Sequence, residues 1–171
     1  MNLNTKQEIL EVLTMPEETF WSQVAPAARE VCQKQFGTSL LVTAMLAYTN
    51  ICKNQCLYCG MRAGNKIPRY RMSPEEILPL AQRAREDGLG RMFLLAGEDQ
   101  NYGFEKLLTL IAGLRQQGYT IALGAGELSR TQYQELHDAG VEEYVLKFEM
   151  SHPDSFQRLN PSTTYAKRMG C

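Results

Sequence analysis

Three thiols stand within the short stretch CKNQCLYC: Cys52, Cys56 and Cys59. A closed structural zinc site takes four protein ligands, so a triplet without an obvious fourth describes a metal centre with one position left open. Thiolates at i, i+4 and i+7 can also wrap three corners of an iron–sulfur cubane, whereas an ordinary electron-transfer cluster is held by four cysteines. The fourth iron is then free to bind a small molecule. A zinc knuckle, or cysteines that fall together by accident, are the structural alternatives.

Composition frames this chemistry. The chain has 171 residues, 18 basic and 19 acidic side chains and a net charge of −1, which fits one globular core and implies neither nucleic acid nor membrane as a partner. No apolar run is long enough to span a bilayer, and MNLNTKQEILEVL has the periodicity of an amphipathic helix instead of the apolar core of a signal peptide. The expected compartment is the cytoplasm, where thiols stay reduced and clustered cysteines serve metals more often than disulfides. Cys32, in a predicted helix, reads as a buried and inert thiol; Cys171 carries no signal.

The elements that must position the triplet follow from periodicity and punctuation. Two helical segments come first, TKQEILEVL and a longer stretch through VAPAAREVCQKQF that stops at Gly37. SLLVTAMLAY is an almost unbroken apolar run and reads as a strand buried on both faces, with the cysteine loop directly after it. MSPEEILPLAQRAREDG then predicts a helix with Ser73 as N-cap, Pro74 in the first turn and Gly88 as stop. RMFLLAG, YTIALGAG and EEYVLKFEM read as strands, separated by the helices GFEKLLTLIAGLRQQG and SRTQYQELHDAG and followed by SHPDSFQRL. Strands alternating with helices of this length form βα units on a parallel sheet. The domain reading is a helical extension over 1–37 and an α/β domain over 38–171.

In parallel α/β folds, chemistry gathers at the C-terminal ends of the strands. Here those ends carry the cysteine triplet, then Gly97, Glu98 and Asp99, then Gly124, Gly126 and Glu127, then Lys147 and Glu149. Apolar strand interiors give way to polar and glycine-rich ends at every strand, which core packing alone does not explain.

CxxxCxxC with an aromatic residue before its last cysteine, here Tyr58, resembles the signature of the radical S-adenosylmethionine (SAM) superfamily. NICKNQCLYCGMRAGNKIPRYRMSPEEI looks like the cluster loop of the HydE-like group, maturases of [FeFe]-hydrogenase related to biotin synthase and the methylornithine synthase PylB. LLAGED, LGAGEL and VLKFEMSHPDSFQRLNPSTTYAKRM resemble successive strand-end segments of that group. The resemblance implies a TIM-type (β/α) barrel, a [4Fe–4S] cluster on Cys52, Cys56 and Cys59, and SAM chelated at the open iron and cleaved to a 5′-deoxyadenosyl radical. It also implies a low-potential electron donor, a small-molecule substrate and a hydrogenase maturation partner.

Residue by residue, the resemblance puts Gly97 and Glu98 at the SAM amino group. Glu149 falls at the ribose hydroxyls, since a carboxylate accepts from both hydroxyls of a diol, and Arg168 at the SAM carboxylate. Lys147 replaces an arginine common near the sulfonium, keeping its charge without the fork. Tyr58 either packs in the loop or lies near the adenine, and Gly124 faces the substrate. Glu127 is either a pocket acid or a helix N-terminal charge, the second being the preferred reading. Lys66, Arg69 and Arg71 are either an anion-binding patch for the substrate or, as the preferred reading, an exposed basic loop face, and His137 and His152 are read as no metal ligands. Only four strands precede the end of the sequence, so a partial barrel of about four βα units is expected, with an unpaired edge. The alternatives are a biotin-synthase-like or PylB-like enzyme acting on a small metabolite, or a non-catalytic metal-binding fragment.

Overall fold

The computed structural model describes residues 3–171. The chain divides into two compact units, Met1–Leu41 and Val42–Cys171. In the first unit, helix α1 spans Lys6–Thr14 and opens on a capping box between Thr5 and Glu8. Helix α2, Glu17–Thr19, runs through a π-helical turn, Phe20–Val24, into α3, Ala25–Phe36. Pro26 lies in the first turn of α3. It has no N–H to donate four residues back, which accounts for the wider turn just before it. Gly37, with φ of 65°, ends the helix. None of these helices buries a side chain. Cys32 is therefore exposed, which corrects its reading as a buried thiol.

The second unit is built on a four-stranded sheet in the order β1-β2-β3-β4, every pairing parallel: β1 Ala44–Thr49, β2 Arg91–Ala96, β3 Thr120–Gly124 and β4 Val141–Tyr144. Helices α4 (Pro74–Glu86), α5 (Phe104–Gln116) and α6 (Arg130–Asp138) connect the strands, and α7 (Pro153–Leu159) and α8 (Tyr165–Met169) follow β4. The expected punctuation is in place: the Glu76 carboxylate accepts from the N–H of Ser73 at the start of α4, and Ser129 forms a capping box with Gln132 at the start of α6. Met92, Leu94, Ile121 and Leu123 of the sheet pack with Ile77, Ala81, Leu110, Ile111 and Leu114 of α4 and α5 to form the core.

The opposite face of the sheet is less covered. β2 alternates between buried Met92 and Leu94 and half-buried Phe93 and Leu95, and Met45 on β1 is 67% exposed. The apolar run before β1 is also not strand: Leu40, Leu41 and Val42 are exposed, and pairing begins only at Ala44, opposite Met92. β2 starts at Arg91, so the earlier residues have no register partner on that side. β4 is similarly shorter than EEYVLKFEM suggests. β3 ends at Gly124, and after one further bond from the Val145 N–H to the Leu123 carbonyl the chain leaves the sheet. Lys147 and Glu149 therefore lie on a loop, where Glu149 adopts φ of 59°, an uncommon left-handed conformation for a residue with a Cβ.

Candidate functional site

The cysteines lie on a loop, residues 50–72, that leaves the C-terminal end of β1 and returns to it. The Met72 N–H donates to the Tyr48 carbonyl, and Arg71 forms an antiparallel bridge with Thr49. At the neck, the Asn50 side chain donates to the Pro68 carbonyl at 2.8 Å and accepts from the Tyr70 N–H at 2.8 Å. Arg71 grips Asp99 with two hydrogen bonds, 2.5 and 2.8 Å, and Thr49 adds a third at 3.0 Å. The Arg71 guanidinium holds the buried Asp99 carboxyl below the usual carboxylate range. Arg69 spends its guanidinium on loop carbonyls. Half-buried Arg69 and still-exposed Arg71 are thus spent on fastening the loop and do not form a free basic face; Lys66 alone of the three has no such bond among the described residues.

The loop is pressed against two neighbours. On one side lies the end of β2, where the Lys53 N–H donates to the Glu98 carbonyl at 3.1 Å and the Glu98 N–H lies 3.4 Å from the Cys52 sulfur. Gly97 makes this approach possible: a Cβ there would stand 2.8 Å from Cys52 Cβ and 2.7 Å from the Ile51 carbonyl carbon. On the other side lie the end of α7 and the segment between α7 and α8. Leu57 N–H donates to the Leu159 carbonyl at 2.9 Å, Gln55 N–H to Ser162 Oγ at 2.8 Å, and the Tyr58 hydroxyl to Asn160 Oδ1 at 2.7 Å. Burial and the nearby Cys56 thiol push the Tyr58 hydroxyl up to about 12, so it remains a donor.

Behind the loop is a network of buried charge. Arg168, 8% exposed, donates from Nη2 to Glu98 Oε1 at 3.1 Å, from Nε to Glu127 Oε1 at 2.9 Å and from Nη1 to the Lys147 carbonyl. Lys53 approaches Glu98 at 3.4 Å, and Lys167 approaches Glu127 at 2.8 Å. Burial alone would raise the Glu127 pKa, but hydrogen bonds from Lys167, Thr163 and Arg168 hold it down at about 2. Of the two readings of Glu127, the structure thus favours the buried acid over the helix N-terminal charge. Gly126, with φ of 83°, lets the β3 end pass Glu98: a Cβ would stand 2.6 Å from Glu98 Oε1.

These elements line an open pocket of about 370 Å³, within the size range of cofactor sites. Cys52, Cys56 and Cys59 line it with Tyr58, as do Gly97 and Glu98 just after β2, Gly124 from β3, Lys147 and Glu149 after β4, and Arg168 from α8. All the site residues expected from sequence therefore meet at one place. Among the described residues no three His, Cys, Asp or Glu side chains converge on a single metal ion. A polynuclear cluster takes one thiolate per iron and does not require such convergence. The donor set fits a cluster with an open iron, and the Glu98 and Arg168 pair offers both charges that a zwitterionic amino acid would need. Sequence reasoning missed Asn160, Ser162 and Thr163, which carry no distinctive signal. Glu127 had one, a strand-end acid just before the Ser129 cap.

A comparison with family models matches residues 46–171 to the radical SAM superfamily. The chain belongs to the radical SAM superfamily. This radical SAM chain is 31% identical over 168 residues, 98% of its length, to the [FeFe] hydrogenase maturase subunit HydE of Thermotoga maritima, and covers 48% of that protein. It is 25% identical to 2-iminoacetate synthase of Escherichia coli over 90% of its own length and 41% of the relative's. Among solved structures, the methylornithine synthase PylB superposes with a TM-score of 0.90 at 22% identity, covering 99% of this chain and 51% of that one. The parallel sheet is thus part of a radical SAM barrel, and the chain spans about half the length of the relatives it matches. No helix among the described residues is long and apolar enough to cross a membrane.

Proposed function

We propose that this chain is a radical SAM enzyme in which Cys52, Cys56 and Cys59 hold a [4Fe–4S] cluster and the strand ends hold SAM. The supporting observation is that the three thiols share one cavity with the buried Glu98 and Arg168 pair. When bound, the cluster supplies the electron that cleaves SAM to a 5′-deoxyadenosyl radical. The chain's own residues bind and orient. Glu98 accepts from the ligand's ammonium, and Arg168, which has N–H groups beyond those it gives to Glu98, Glu127 and Lys147, donates to the ligand's carboxylate. Glu149 accepts from the ribose hydroxyls, Lys147 places a positive charge near the sulfonium, and the Tyr58 ring lies beside the adenine. Gly124 keeps room for the substrate between Leu95 and Val145, whose nearest atoms would lie 3.3 and 3.4 Å from a Cβ there.

The proposed role is HydE-like: maturation of [FeFe]-hydrogenase in the cytoplasm, with a low-potential electron donor and a maturation partner. The likeness to HydE over nearly the whole chain supports it. A PylB-like or biotin-synthase-like reaction on a small metabolite would use the same site and differ in substrate. The test is anaerobic reconstitution with iron and sulfide, followed by electron paramagnetic resonance of the reduced protein with and without SAM. A SAM-dependent change that disappears in Cys56→Ala supports an open-iron cluster. A cluster indifferent to SAM would mean a structural metal site.

A further inference from the structure

From the geometry of the 50–72 loop we infer that Arg69 is the positioning residue of the cluster site, ordering the three thiols before any metal arrives. The inference rests on the radical SAM reading for its purpose, but not for its geometry. A connection of this length without regular secondary structure is uncommon in a compact domain and needs specific fastening. Arg69 provides it from the inside. Nη1 donates to the carbonyls of Asn50 at 2.6 Å and Met61 at 2.8 Å; Nη2 donates to those of Arg62 at 2.7 Å and Asn65 at 3.0 Å. Asn50 lies two residues before Cys52, and Met61 two residues after Cys59. One planar group therefore ties together both ends of the segment that carries Cys52, Cys56 and Cys59.

The side chain suits this task in a way that lysine does not. A guanidinium holds its donors in a fixed plane and can serve two carbonyls from each terminal nitrogen, whereas an ammonium radiates three donors from one point. Hydrogen bonds from a charged donor are also stronger than neutral ones. Without Arg69 the segment would have to be ordered when the cluster binds, and that entropic cost would appear as weaker cluster binding. Arg69 does not line the cavity; it acts through the cysteines and touches no reacting atom.

The test uses the full chain in four forms: wild type, Arg69→Lys, Arg69→Ala and Lys66→Ala. Hydrogen–deuterium exchange of the metal-free protein is followed in peptides covering residues 50–65 and in peptides covering β2 and β3. Iron and sulfide content after anaerobic reconstitution is measured separately. Both Arg69 variants are expected to exchange about tenfold to a hundredfold faster in residues 50–65, with β2 and β3 unchanged. They should also hold less iron per chain, and ethylguanidinium should restore part of the protection to Arg69→Ala. Lys66→Ala, which removes the same charge three residues away, should match wild type. Arg69→Lys with wild-type protection, or Arg69→Ala loosening β2 and β3 as much as the loop, would overturn the inference. Failure of the wild type to bind iron would sink the radical SAM reading, while the exchange data would still decide the role of Arg69.

Discussion

Substituting Gly97 by alanine puts one methyl group where the cluster loop meets the end of β2. Carbon atoms in good contact sit about 3.5–4.0 Å apart, yet the new Cβ would stand 2.8 Å from Cys52 Cβ, with the Ile51 carbonyl closer still. The deficit is roughly 1 Å. Neither side yields easily. The Gly97 N–H is bonded to the Thr49 carbonyl at 3.2 Å, and the Glu98 carbonyl accepts from the Lys53 N–H, so both strands of the contact are pinned. Overpacking of this kind costs about 1–3 kcal/mol, or a fall in Tm of about 2–12 °C for a chain of this size. The larger effect should be on metal binding, because ligand positions tolerate errors of only about 0.5 Å. Iron content and the SAM-induced change in the resonance spectrum should both drop sharply in Gly97→Ala. Lys66 supplies the control. It is exposed on the same loop and does not line the cavity, so Lys66→Ala should load iron as wild type does. Normal loading in Gly97→Ala, or an equal loss in Lys66→Ala, would refute the reasoning.

Glu127 gives the site a defined response to acid. Its drop from an ordinary 4.5 to about 2 corresponds to about 3 kcal/mol. Because the folded-state value is the lower one, that stability is complete above about pH 4.5 and is lost as the pH falls toward 2. Urea melts should show Glu127→Gln less stable than wild type at pH 7 and flatter across that window; an equally steep decline in the variant would contradict the assignment. Tyr58→Phe should cost about 1 kcal/mol by leaving Asn160 Oδ1, on a residue only 2% exposed, without its donor. Thermal melts of the metal-free protein would register it, and no change would mean that the hydroxyl bond contributes nothing.

The order of helices and strands was legible because it depends on local patterns: the Ser73 and Ser129 caps, the stops at Gly37 and Gly88, and the switch in periodicity between RMFLLAG and GFEKLLTLIAGLRQQG. The cysteine triplet was legible because few residue types bind metal, and their spacing is itself the signal. Burial was harder to read. Leu40, Leu41 and Val42 are as apolar as any strand in the chain, yet whether such residues are covered depends on a neighbour at the same register. The fasteners were least legible of all. Arg69 works through backbone carbonyls, which every residue has, and Arg71 finds Asp99 across 28 positions, so residue identity alone distinguishes neither from a solvated surface cation. Glu98 and Arg168 were placed individually by resemblance, but nothing in their separation of 70 positions reveals that they neutralise each other.

The three hydrogen bonds from the cysteine loop to Leu159, Asn160 and Ser162 bridge more than 100 positions of sequence for Tyr58 and Gln55. A ribosome makes CKNQCLYC long before it makes the segment that registers it, and Arg168 comes later still. During synthesis the thiols therefore emerge without their outer wall and without the guanidinium that neutralises Glu98. The competent geometry is a late product of folding, since contacts this distant form only after the intervening chain has been closed into a loop. Until translation has passed α8, the three thiols lack the partners that wall and register them.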